Sequence, residues 1–158
     1  MDYSLEELLP HRKPMILVGG IENCDLDDYS LTAWACFDKN SIFYDPEIDG
    51  VPAYVGIELM AQSVGLFSGI FARERENRAP RIGFLLGART YKNSLSKFET
   101  GKKYFIHVRQ TYFLDGFGKT HCRIFENSSE GTPVAESELN VYLTQNDKIE
   151  DALALLKK

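Results

Sequence analysis

Cysteine and histidine are scarce in this chain, and their placement removes whole classes of chemistry. Cys24, Cys36 and Cys122, with His11, His107 and His121, show no CxxC, CxxH or other metal-ligand spacing, which argues against a zinc centre. An odd number of cysteines suits small apolar packing groups in a reducing cytosol better than a disulfide framework. Basic excess is missing too: 18 Lys and Arg face 23 Asp and Glu, for a net charge of −5. That balance argues against nucleic acid or an anionic membrane as the main partner. The opening MDYSLEELLP has neither the basic start nor the apolar core of a secretory signal. No apolar stretch looks both long and charge-free enough to span a bilayer, because Glu58 and Gln62 interrupt the best candidate. The glycines of VGG and GFLLG lack phosphate-loop spacing. The expectation is a cytoplasmic protein with no metal and no cofactor.

What is present reads as one domain over residues 1–158, a length sufficient for a single core. Ser4 and Glu7 form a capping-box pattern that predicts a short helix from about residue 4 to Leu9, closed by Pro10 and Pro14. Residues 14–22 (PMILVGGIE) and 30–37 (SLTAWACF) read as strands. From Arg81 onward four more follow: RIGFLLGARTYK, KKYFIHVRQTYF, KTHCRIFEN and PVAESELNVYLT. The last alternates, with Ala135, Ser137, Leu139, Val141 and Leu143 on one face and Glu136, Glu138 and Asn140 on the other, as in an antiparallel sheet with one wet face. A second capping-box pattern, Asp147 with Glu150, predicts a helical tail. The fold class is α+β, with a sheet wrapped on one central helix.

That helix is predicted from about Ala53 to Arg73, with Pro52 near its first turn. It is apolar on most of its circumference, so it is enclosed. Glu58, Gln62, Gly65 and Gly69 fall at spacings of four, three and four and share one face. Each glycine costs about 1 kcal/mol of helix stability relative to alanine, so two on one stripe imply that a backbone or an extended ligand approaches closely. A carboxylate within the apolar run has two readings. Glu58 and Gln62 bond each other or a loop, or Glu58 is an acid whose pKa burial raises, so that it donates a proton. Beside it, free amides at the helix N-terminus can polarise a carbonyl. Those two elements suit elimination of water from a 3-hydroxyacyl thioester.

Three segments resemble a known family. LPHRKPMILV (9–18) resembles the opening of bacterial 3-hydroxyacyl-[acyl-carrier-protein] dehydratases, and GIELMAQ (56–62) their central-helix signature. GVPAYVGIELMAQ with RIGFLLGARTY (81–91) is similar to a divergent branch associated with aryl polyene biosynthesis clusters. The resemblance implies a hotdog fold, a curved antiparallel sheet around the long helix, paired into dimers with active sites at the interface. It implies acyl carrier protein bearing a phosphopantetheine-linked acyl group as partner, and a homodimer or a heterodimer with a paralogous hotdog subunit. Glu58 takes the place of the family's acid and Gln62 that of its amide. Together with Gln62, Tyr44, Val55, Gly56, Phe84 and Leu85 are the expected substrate contacts.

The family's catalytic histidine, from a Gly-His-Phe-Pro-Gly loop, has no counterpart, because the aligned position is Tyr44. With a pKa near 10, about 0.1% of a tyrosine is phenolate at pH 7, whereas histidine titrates in the useful range. Several arrangements remain open. His11 is the first alternative base, against a plain role in fixing the loop after the first helix. A paralogous subunit could supply the histidine, Glu58 could act with Tyr44 as hydrogen-bond donor, or the chain could be a silent scaffold. His107 and His121 read as cross-strand or surface residues. Thioester hydrolysis is the rival chemistry. A basic run, Arg73, Arg75, Arg78 and Arg81, with Arg89, Lys92 and Lys97 following, is the expected docking patch for an acidic carrier.

Overall fold

The computed structural model describes residues 2–144. The predicted helical tail at Asp147 to Glu150 lies outside them. Near the N-terminus the capping box forms as expected. The Ser4 backbone N–H and hydroxyl donate to Glu7 Oε2 at 2.8 and 2.9 Å, and helix α1 runs Leu5–Leu8. Strands β1 (Gly20–Asp25) and β2 (Ser30–Cys36) follow, then a two-residue strand β3 (Val51–Pro52). A 3-10 turn, Ala53–Val55, leads into helix α2 (Gly56–Arg75). Strands β4 (Gly83–Asn93), β5 (Lys97–Phe98), β6 (Lys103–Leu114), β7 (Phe117–Glu126) and β8 (Ala135–Leu143) complete the described chain.

Six strands form one antiparallel sheet in the order β1-β2-β6-β7-β8-β4, while β3 and β5 pair separately. Register shifts in β1, β4 and β6 mark bulges, which bend a strand and increase its twist. The curved sheet packs its inner face on α2. Leu31, Ala33 and Ala35 of β2, Tyr104, Ile106 and Val108 of β6, Cys122 and Ile124 of β7, and Ala135 and Leu139 of β8 are all buried in one core with Leu59, Met60, Leu66 and Ile70 of α2. This is the hotdog architecture. By length and hydropathy Ala53–Arg75 could cross a bilayer after all, since two polar residues do not disqualify it. Most of that window is nevertheless buried within the fold, so the apolar run is accounted for by the core.

The strand foreseen over 14–22 begins only near Gly19, whose N–H donates to Trp34 O at 2.7 Å. Upstream, the backbone of Met15 and Leu17 bonds the side chain of Gln62 and not a neighbouring strand. The glycine stripe on α2 does admit a neighbour. A Cβ at Gly69 would lie 2.8 Å from the Leu8 carbonyl oxygen, and one at Gly65 2.8 Å from Leu9 Cδ2. Gly69→Ala should therefore lower stability by about 1–3 kcal/mol, the range typical of overpacking against a fixed backbone, read as a shift in urea midpoint at constant slope.

On the outer face of the sheet, His107 Nδ1 lies 3.0 Å from Thr32 Oγ1 and His121 Nε2 lies 2.6 Å from Glu136 Oε1, the cross-strand positions expected of both. Burial, with Arg123, Arg109 and His121 nearby, pushes the His107 imidazole below its ordinary pKa, against a smaller opposing pull from Asp28. The unfolded chain thus binds more protons at this residue than the folded one, and stability falls as pH drops below about 6.5. Urea midpoints measured at about pH 7.5 and about pH 5 should differ less in His107→Gln than in the parent chain.

Candidate active site

Three side chains meet where the N-terminal segment crosses α2. Gln62 is fully buried and has its amide committed. Its Oε1 accepts from Leu17 N–H at 2.9 Å, and its Nε2 donates to Met15 O at 2.7 Å and to Glu58 Oε1 at 2.9 Å. One turn earlier on α2, Glu58 presents the same Oε1 to His11 Nε2 at 3.4 Å. The enclosure foreseen for Glu58 is partial, since its side chain is 35% exposed and that of His11 32%. Arg12 steadies the His11 loop by donating to the carbonyls of Leu9 and His11 at 3.1 and 2.7 Å. The other ring nitrogen, His11 Nδ1, is buried and has no hydrogen-bond partner among the described residues.

Glu58 and His11 open on a cavity of about 220 Å³ whose other walls include Leu9, Val64, Gly65, Phe84, Leu85 and Val141. Phe84 and Leu85 come from β4, which pairs with β8 on one side and, among the described residues, ends the sheet on the other. Arg81, just before β4, also lines this cavity. The cavity therefore combines a carboxylate, an imidazole and a guanidinium with apolar walls.

The remaining expected contacts lie elsewhere. Tyr44 donates its hydroxyl to Asp49 Oδ1 at 2.6 Å, and that carboxylate pushes the phenol further above its ordinary pKa. It does not line the cavity at Glu58. Val55 is buried, and the Gly56 N–H is already bonded to the carbonyls of Ala53 and Tyr54, so it is not a free amide at the helix start. Gly56 answers a packing need: a Cβ there would meet the Tyr91 hydroxyl at 2.1 Å. Tyr91 in turn donates to Ala53 O at 2.7 Å, and burial pushes its phenol up to about 12. Together they fix the start of α2.

Within the basic run, Arg75 pairs with Asp27 and Arg78 with Glu76. Arg73 donates to Glu7 O at 3.1 Å and lies over the Tyr3 ring. These three are held locally, which leaves Arg81 as the member of the run turned to the cavity. Sequence spacing gave no sign of Arg81, Leu9 or Val141 as neighbours of Glu58, since tertiary packing alone joins them. No group of three or more metal-ligating side chains converges among the described residues.

Comparison with known proteins bears on the family and the fold of the chain. At 28% identity over 149 residues, 92% of this chain and 94% of the relative, it is similar to the 3-hydroxyacyl-[acyl-carrier-protein] dehydratase FabZ of Chlamydia trachomatis serovar L2. In structure it is similar to a chain of the dehydratase heterocomplex ApeI:P from Xenorhabdus doucetiae, with a TM-score of 0.85, 24% identity and full coverage of both chains. A hypothetical thioesterase with coenzyme A from Streptococcus pneumoniae TIGR4 shares the fold more distantly, with a TM-score of 0.59, 14% identity and coverage of 81% of this chain and 87% of that one. The model of the ApeP-like family, described as ApeP dehydratase, matches residues 3–154, and the chain belongs to that family of hotdog dehydratases.

Proposed function

We propose that the protein eliminates water from 3-hydroxyacyl thioesters borne on acyl carrier protein, with Glu58 and His11 as the reacting pair, and that it works joined to a paralogous hotdog subunit. The observation that carries this reading is the convergence of Glu58 and His11 on an apolar-walled cavity, with Gln62 buried behind Glu58 and bonded to it rather than lining the cavity as a substrate contact. In the elimination, the neutral His11 ring removes the proton from C2 of the acyl chain. The protonated Glu58 carboxyl gives its proton to the 3-hydroxyl, the C3–O bond breaks, and water leaves as the C2–C3 double bond forms. The pair ends as imidazolium and carboxylate, and one proton passed back across the 3.4 Å contact restores it. General acid–base chemistry of this kind contributes about 10²–10⁴-fold.

Gln62 supports the pair by holding both the Glu58 carboxylate and the strip of backbone that carries His11. A partner subunit is supported by edge strand β4, which exposes Leu85 and Leu86 beside the cavity at 42% and 55%. An open apolar edge strand is normally covered. The heterocomplex ApeI:P, whose fold this chain shares, supports a paralogue as the cover.

The chemistry is tested by incubating the protein, with and without its paralogue, with a 3-hydroxyacyl-carrier substrate. An enoyl-carrier product is expected, and release of free thiol would instead mark a thioesterase. Arg81, unlike its paired neighbours, is free of local salt bridges among the described residues and suits the phosphate and acidic surface of a loaded carrier. Arg81→Glu should raise KM for the carrier-borne substrate about tenfold or more while changing kcat far less. An unchanged KM removes Arg81 from docking.

A further inference from the structure

The stretches GVPAYVGIELMAQ and RIGFLLGARTY, separate in the sequence, lock together in the structure through Tyr91, a residue outside the cavity at Glu58. On β4 the register against β8 steps from Arg89↔Glu138 to Lys92↔Glu136, so Thr90 and Tyr91 together stand opposite Ser137. Such a bulge bends the strand and re-aims a side chain. Thr90 adopts the left-handed region there, at φ 53°, where a β-branched residue is a rare outlier. Strain of this kind persists only where the surroundings impose it, and it gathers at functional sites. Its local result is that Tyr91 packs against the core while Arg89, Thr90 and Lys92 stay exposed.

The Tyr91 hydroxyl donates to Ala53 O at 2.7 Å. The same carbonyl accepts from Gly56 N–H, so both of its lone pairs are used. Gly56 leaves the space for the hydroxyl, since a Cβ there would lie 2.1 Å from it. The 3-10 turn Ala53–Val55 and the first residue of α2 are thus pinned from β4, and Glu58 stands two residues further on. Strand β4 also supplies Phe84 and Leu85 to the cavity that Glu58 lines. One strand therefore sets both the wall of the cavity and, through Tyr91, the helix start that carries the acid. Burial pushes the phenol up to about 12, so it stays a hydrogen-bond donor at neutral pH. We propose that Tyr91 is a positioning residue for the elimination, holding the first turn of α2 through Ala53 so that Glu58 meets His11 and the bound thioester. This rests on the reading of Glu58 as the acid. It adds a side chain that touches neither substrate nor Glu58, aimed by the bulge at Thr90. A misplacement of about 1 Å in a reacting group can cost about 10²-fold in rate.

The test uses the protein joined to its paralogue, a 3-hydroxyacyl-carrier substrate and the loss of water as readout. Tyr91→Phe removes only the hydroxyl. It should lower kcat about tenfold, leave KM within about twofold and move the urea midpoint little. In the Glu58→Gln background the same substitution should cause no further fall in kcat, because residues that act as a unit are not additive. Gly56→Ala should lower the urea midpoint. Tyr91→Phe in the same chain should restore most of that midpoint by removing the clashing atom, while kcat stays low. A midpoint that is not restored breaks the lock between Gly56 and Tyr91 and overturns the proposal. So does a kcat for Tyr91→Phe within about twofold of the parent, a loss that tracks the loss of folded protein, or a loss repeated in full on top of Glu58→Gln. These results leave the Glu58 reading intact, whereas full activity in Glu58→Gln alone overturns both.

Discussion

Glu58→Gln should lower enoyl-thioester formation by about 10²–10⁴-fold, with a melting temperature close to that of the parent chain. The substitution keeps the shape of the side chain and its capacity to accept from Gln62 Nε2, but it removes the transferable proton. Because the carboxyl is already 35% exposed, the change introduces no new buried group and should not disturb the core. Rate and stability thus separate. A loss of activity accompanied by an equal loss of folded protein would assign Glu58 to structure. Activity retained within about threefold would remove it from the proton transfers.

Gln62→Leu should produce the opposite pattern, with stability affected first. Leucine suits the volume and the apolar surroundings, so the cost comes from polar partners left behind. The Leu17 N–H and the Met15 carbonyl each lose the bond they make to Gln62. The buried Leu17 N–H left unpaired costs about 1–3 kcal/mol, a large part of the stability of an ordinary domain, and the Met15 carbonyl, only part-buried, adds less. Activity should fall as well, because the released segment carries His11. The urea midpoint reports the first effect, and kcat measured well below that midpoint reports the second. A midpoint unchanged in Gln62→Leu would mean that the N-terminal strip is held by other contacts.

The same two residues show how far the sequence could be read. A polar stripe at helical spacing was enough to place Glu58 and Gln62 together, because spacings of four and three put residues on one face whatever surrounds the helix. The alternation in β8 likewise marked Ala135, Ser137 and Leu139 as inward-facing, and they are buried. The glycines foretold a close approach, and the Leu8 backbone makes it.

Other features had no local signal. Nothing in PMILVGG shows that its backbone satisfies a buried amide from α2, so it reads as strand up to the point where Gly19 joins the sheet. Alignment alone suggested Tyr44 as a site residue. The Asp49 carboxylate that captures its hydroxyl lies five residues away across a turn, a geometry that residue spacing does not reveal. The cavity walls from β4 and β8 depend on strand order, which brings the last described strand beside the fourth.

The most direct test of the central claim gives the chain sole responsibility for the chemistry. It would be combined with a paralogous subunit whose own catalytic carboxyl has been removed, and offered a 3-hydroxyacyl-carrier substrate. Intact-protein mass spectrometry would follow the loss of one water. The account predicts that enoyl-carrier still forms and that adding Glu58→Gln to this chain abolishes it. No product from the complex with Glu58 intact would contradict the account and leave the chain as a support for its partner.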